Sequence, residues 1–128
     1  MFAPVGQTRL NEIQQTMIDQ LKHLNPLWRG EFGVRMIIIM DENTLRFPMA
    51  IGRHKVNVDL KYEEGDDLYR ISAYDINAFT RKVVRIEGTP TEAQFDQAKR
   101  DATIYDEGGL FWEDLIDVLR HIANAVDK

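Results

Sequence analysis

Between residues 34 and 87 the chain alternates apolar and polar residues in short runs separated by turn formers. Leu45, Phe47, Met49 and Ile51 alternate with Thr44, Arg46, Pro48 and Ala50, and Val56, Val58, Leu60 and Tyr62 with Asn57, Asp59 and Lys61. Successive strand side chains point to opposite faces, so this pattern predicts a sheet with one face buried. Five strands are predicted, over 34–40, 44–51, 55–62, 67–76 and 80–87. The connections Asp41-Glu42-Asn43, Gly52-Arg53-His54, Glu63-Glu64-Gly65-Asp66 and Asn77-Ala78-Phe79 are too short for parallel crossovers. They predict an antiparallel meander. Pro48 has no N–H to give a ladder, which predicts that 44–51 is an edge strand or carries a bulge. In 67–76, Tyr69, Ile71 and Ala73 share one face while Tyr74 and Ile76 fall on the other. That change of phase predicts a bulge or burial on both faces.

Helical spacing brackets the sheet. Leu10, Ile13, Met17, Leu21 and Leu24 recur at intervals of three and four, predicting a helix over 8–24 that Asn25-Pro26 stops. The connector Leu27-Trp28-Arg29-Gly30-Glu31-Phe32-Gly33 follows. Thr89-Pro90-Thr91-Glu92 reads as an N-cap, a first-turn proline and a capping-box acid. It opens a helix to about Thr103 with Phe95, Ala98 and Ala102 as its apolar side. Asp106-Glu107-Gly108-Gly109 reads as a break. A final helix carries Phe111, Leu115, Val118, Ile122 and Val126 on one stripe, widened by Trp112, Leu119 and Ala123. The predicted fold is α+β: an N-terminal helix, a five-stranded antiparallel meander and two C-terminal helices packed on one sheet face. A chain of 128 residues, 44% apolar and 29% charged, fits a single domain spanning 1–128.

Charge changes the picture in one place. The net charge is −5. Residues 1–34 balance, residues 35–86 carry nine basic against eight acidic groups, and residues 87–128 carry four against ten. The acidity is therefore C-terminal, and the cationic footprint expected of a duplex-DNA binder is missing. It reads either as a solvated helix face or as a surface that meets a basic partner. The N-terminal residues lack the pattern of a signal peptide, and the run Met36 to Met40 is too short to span a bilayer. With no cysteine, these features lead to the expectation of a cytoplasmic protein.

Candidate chemistry is sparse. His23, His54 and His121 stand alone, without the spacing of a metal site. Ser72, the only serine, lies within a strand and outside any nucleophile elbow. No glycine-rich phosphate loop occurs. The carboxylate run Glu63-Glu64-Gly65-Asp66-Asp67 does not have EF-hand spacing and reads as a solvated hairpin tip. No catalytic residue, metal or cofactor is expected. The outward sheet residues Arg46, Lys61 and Arg70, with Arg81, Lys82 and Arg85, offer a basic patch for nucleic acid, but stacking aromatics are missing from it. Cross-strand pairing of Asp59 with Arg46 or Arg70 explains the same residues without a ligand. Two aromatic groups remain. Trp28, Arg29 and Phe32 either cap the core or anchor an interface. Leu110, Phe111 and Trp112 cannot all face one side. Phe111 is expected in the core with Leu115, leaving Leu110 or Trp112 partly exposed beside Glu113, Asp114 and Asp117.

Asn43-Thr44-Leu45-Arg46-Phe47, then Val56-Asn57-Val58-Asp59-Leu60 and Asp67-Leu68-Tyr69, resemble a pattern in small accessory proteins of phages and mobile elements. The resemblance implies a setting in which small acidic proteins bind host proteins, including defence nucleases. The expected function is therefore non-catalytic protein binding, with inhibition of a host defence protein as its specific form. The partner surface is expected at Trp28, Arg29, Phe32, Leu110, Trp112, Glu113, Asp114 and Asp117. The alternatives are nucleic-acid binding through the basic sheet residues, or a homo-oligomer assembled through the edge strand or the 8–24 stripe.

Overall fold

A computed structural model describes residues 10–126. It begins with helix α1 (Glu12–Leu24) and the short helix α2 (Trp28–Glu31). Four strands follow: β1 (Ile38–Asp41), β2 (Thr44–Ile51), β3 (His54–Glu63) and β4 (Leu68–Asp75). Helices α3 (Ile76–Val84) and α4 (Glu92–Ala102) precede β5 (Thr103–Leu110), a 3-10 turn at Trp112–Asp114 and helix α5 (Leu115–Val126). The strands form one antiparallel sheet in the order β1-β2-β3-β4-β5. The fold is α+β, as the residue pattern predicts.

The core lies on one face of this sheet. Leu45, Phe47 and Met49 of β2, Val56, Val58 and Leu60 of β3, and Ile71 and Ala73 of β4 meet Met17, Ile18 and Leu21 of α1 and Leu115, Ile116, Leu119 and Ile122 of α5. The start of α1 is set by a capping box: the Asn11 side chain accepts from Gln14 N–H, and the Gln14 side chain accepts from Asn11 N–H. The predicted residues 8 and 9 of this helix lie outside the described residues. Gly33 is required by backbone approach. Its φ is 64°, and a Cβ there would stand 2.5 Å from the Ala50 carbonyl oxygen.

Two elements differ from the pattern-based expectation, and the first strand is shorter than the predicted 34–40, running over Ile38–Asp41 because β2 gives it partners only from Thr44 to Arg46. Residues 80–87 are not a strand: the Asp75 carboxylate accepts from Ala78 N–H and starts α3. Ile76, Phe79 and Val83 then take one half-buried side of that helix. The fifth strand is instead β5, including Asp106-Glu107-Gly108-Gly109. As the outer strand it pairs only with β4, with two register shifts that absorb the irregular sequence. Gly108 gives way to Arg70, whose Nη1 would lie 2.9 Å from an added Cβ. The cap of α4 is Thr91, with Gln94 completing the box, rather than Thr89 with Glu92.

The C-terminal helices divide between the two faces. Helix α5 joins α1 over the core, whereas α3 and α4 cross the opposite face as a hairpin connecting β4 to β5. There Tyr74 contacts Phe79 with ring centroids 5.4 Å apart, and Phe79 stacks on Phe95 at 6.3 Å. Pro48 lies in β2, which is not a full edge. β1 pairs with β2 only over Thr44–Arg46, so Pro48 is beyond the ladder on that side.

Candidate functional site

Of the eight residues predicted to meet a partner, three are removed from the surface by packing. Trp28 and Phe32 are both 1% exposed, and Trp28 makes an edge contact with Phe47 at 5.3 Å. Leu110 is also buried. These three pack into the core and offer almost no surface to a partner. Arg29 is exposed, but its guanidinium is committed to the Val34 and Arg35 carbonyls. Phe111, expected in the core, is 61% exposed. The 3-10 turn after it breaks the helical stripe, so Leu110 turns inward from β5 in its place. Trp112 is half-buried, and Glu113, Asp114 and Asp117 are exposed around it.

That turn separates two open cavities of about 410 Å³ each. The first is lined by Glu12, Ile13, Thr16 and Gln20 of α1, Tyr62 and Tyr69 of the β3–β4 hairpin, Asp67, and Trp112. Register brings the tyrosines together: Tyr62 pairs with Tyr69, and their rings lie 5.4 Å apart. Tyr69 donates to Gln20 Oε1 and Tyr62 donates to Asp67 Oδ1. Burial pushes the Tyr69 phenol up to about 12, with the Tyr62 and Asp67 charges adding to it, so it stays a neutral donor. Its neighbour Tyr62 is also raised, first by its hydrogen bond to Asp67. Asp67 takes a left-handed backbone, φ 54°, which turns its carboxylate back over the hairpin. The cavity thus has three aromatic walls and two carboxylates, and no basic residue lines it among the described residues.

The second cavity is also acidic, but a histidine stands in its wall. Tyr105, Glu107, Leu110, Asp114, Asp117, Val118 and His121 line it. Burial, then the Glu107 hydrogen bond, raises the Tyr105 phenol to about 12. Tyr105 also meets the His121 ring edge-on at 5.7 Å.

The basic residues of the nucleic-acid alternative do not form one surface. Arg46 forks onto Asp59 at 2.7 and 3.0 Å and lies over the Tyr74 ring. Arg70 forks onto Asp106 at 3.0 Å, and Lys82 reaches Asp101 at 3.5 Å. Lys61 stays exposed on β3. Arg81, Lys82 and Arg85 belong to α3 and its C-terminus, away from the last strand where alternation had put them.

Sequence pattern singled out Trp112 and the acids after it but missed Glu12, Tyr62, Asp67 and Tyr69. A signal existed for the tyrosines, because they flank the Glu63-to-Asp67 turn at matching positions and must face each other in a hairpin. Among the described residues, no cluster of three or more His, Asp or Glu is placed to hold a metal ion. Nor is any described helix long and apolar enough to cross a membrane. Compared with known proteins, the chain matches no family model, no curated protein and no solved structure.

Proposed function

We infer that this is a non-catalytic binding protein whose acidic, aromatic rim around Trp112 receives basic side chains of a partner protein. The observation that carries this reading is the first cavity: Tyr62, Tyr69 and Trp112 wall it, Glu12 and Asp67 charge it, and none of the described residues lining it is a cation. An alkyl ammonium or guanidinium group suits such a place, since its charge meets the carboxylates and its stem lies on the rings. Glu113, Asp114 and Asp117 extend the negative field beyond the cavity and steer a basic surface toward it. The resemblance to phage and mobile-element accessory proteins supports a host protein as that partner, with inhibition of a defence protein as the specific form.

The test is a tryptophan-fluorescence titration of the intact chain, whose Trp112 lines the cavity while Trp28 is buried in the core, with a short Arg-Gly repeat peptide. Saturable, salt-sensitive binding is expected, weakened about tenfold in Glu12→Gln/Asp67→Asn. Equal binding of a Glu-Gly peptide, or affinity that ignores both substitutions, would remove the reading.

A further inference from the structure

Strand β1 is outermost on one side of the sheet. With the three residues that precede it, the strand reads Arg35-Met36-Ile37-Ile38-Ile39-Met40-Asp41, a palindrome in residue type with opposite charges at its two ends. An open strand edge is a template for another strand, and proteins deter this with charge, proline or irregularity. The other edge, β5, carries Asp106, Glu107, Gly108 and Gly109 in mid-strand; register shifts occur in both edge ladders, that of β1 between Ile39 and Asp41. Between Arg35 and Asp41 there is no charge and no proline. Met36, Ile38 and Met40 are 55, 40 and 43% exposed.

The backbone is set for pairing. Tyr62 N–H bonds to the Asn43 carbonyl, and Ala50 N–H bonds to the Phe32 carbonyl. Alternation along β2 therefore turns its even-numbered residues toward β1, so Arg46 exchanges bonds with its register partner Ile38. Ile39 then presents its N–H and C=O groups to the open side, and the same alternation carried one step back from Ile38 turns those of Ile37 the same way. The ends of the segment are held in place by side chains. Gln14, 2% exposed, donates to the Asp41 carbonyl at 2.7 Å, and Asn11 donates to the Glu42 carbonyl at 2.9 Å. At the other end Arg29 donates to the Arg35 carbonyl at 2.9 Å. A preordered edge loses less entropy on pairing.

We propose that β1 pairs antiparallel with β1 of a second copy of this chain, about a two-fold axis through Ile38, joining two sheets into one. In that register Ile38 faces Ile38, Met36 faces Met40, and Ile37 exchanges backbone bonds with Ile39. Arg35 stands opposite Asp41 of the other copy. Neither forms an ion pair among the described residues of its own chain. Only the antiparallel register makes the ends complementary, since a parallel one sets arginine against arginine. One strand buries less than an obligate interface, so the association is reversible.

The chain has no cysteine, so Ile38→Cys creates a unique thiol on the axis. Directly opposed Cα atoms of a non-hydrogen-bonded pair lie about 4.5 Å apart, which a disulfide spans. Mild oxidation is expected to give a covalent dimer of Ile38→Cys and no covalent dimer of Arg53→Cys, in the exposed β2–β3 turn. In sedimentation velocity, Arg35→Asp alone and Asp41→Arg alone each weaken wild-type self-association at least about tenfold, as like charges placed opposite require. Mixing these two variants restores association, and so does combining both substitutions in one chain. Both positions are solvent-exposed, and far-UV circular dichroism checks that each variant keeps the fold. A wild-type chain that stays monomeric at every concentration overturns the proposal, as does a dimer indifferent to these substitutions.

Discussion

The two faces of the sheet are built by different means. On one, β2, β3 and β4 meet α1 and α5 through aliphatic and aromatic side chains that are almost all fully buried. On the other, the α3–α4 hairpin is held by a small set of charged and aromatic contacts. Asp59 lies at its centre: Arg46 donates to one carboxylate oxygen at 2.7 Å, and Lys99 reaches across from α4 to the other at 3.1 Å. Both cations also lie over the Tyr74 ring. The hairpin's own buried side chains are small: Ala98 and Ala102 in α4, and none in α3. Burial of apolar area scales with the surface removed from water, so the first face carries most of the stability. Directional ion pairs on the second fix where a lightly packed layer sits.

Removing bulk from the first face should have the largest effect. Phe47→Ala empties a site shared with Trp28 and is expected to cost about 3–5 kcal/mol, measured by urea unfolding. Asp59→Asn should cost about 1–3 kcal/mol, because it removes the negative charge that Arg46 and Lys99 share and replaces one of its two accepting oxygens with a donor. Its acid dependence is the sharper readout. Burial would raise the Asp59 carboxyl, but hydrogen bonds and charge from Arg46 and Lys99 outweigh this and hold it below its ordinary 3.8. A carboxylate with a depressed folded pKa stabilises fully above its unfolded value and loses that contribution as pH falls through the folded one. Stability of the wild type should therefore drop more steeply below about pH 4 than that of Asp59→Asn. Equal slopes would show that the pairing adds nothing. The smallest change is expected for Phe95→Ala, which removes a ring already 41% exposed. It should cost about 1 kcal/mol or less and speed amide exchange in α3 and α4 while leaving α1 and α5 unchanged. Faster exchange throughout the chain would mean that the two layers open as one.

Alternation was readable in the chain where one strand face is buried and the other wet. Thus β2, β3 and β4 follow from Leu45 to Ala73, with Val56, Val58 and Leu60 inward and Arg46 paired to Asp59 outside. It failed where another force decided. Val83, Val84 and Ile86 suit a strand by residue type, yet a carboxylate two residues past Ala73 caps the backbone into a helix there. The acids and glycines of β5 suit a turn, yet an outer strand needs only one partner and tolerates them. The site was half legible for a similar reason. Trp112 and its acids are neighbours in sequence, whereas Glu12, Tyr62 and Asp67 reach the same cavity only through register and helix packing.

The helical hairpin between β4 and β5 bears on the order in which the chain is made. Strands β2, β3 and β4 pair through short turns and can form as soon as they emerge from synthesis, with little loop entropy to overcome. Tyr74 must wait for Thr103, and Tyr69 for Leu110, before β4 gains its second neighbour. Until then β4 is an open edge, and the face beneath α5 is uncovered. The growing chain therefore passes through a stage in which β4 rather than β5 is the edge of the sheet, and covering it requires that α3 and α4 have already been made.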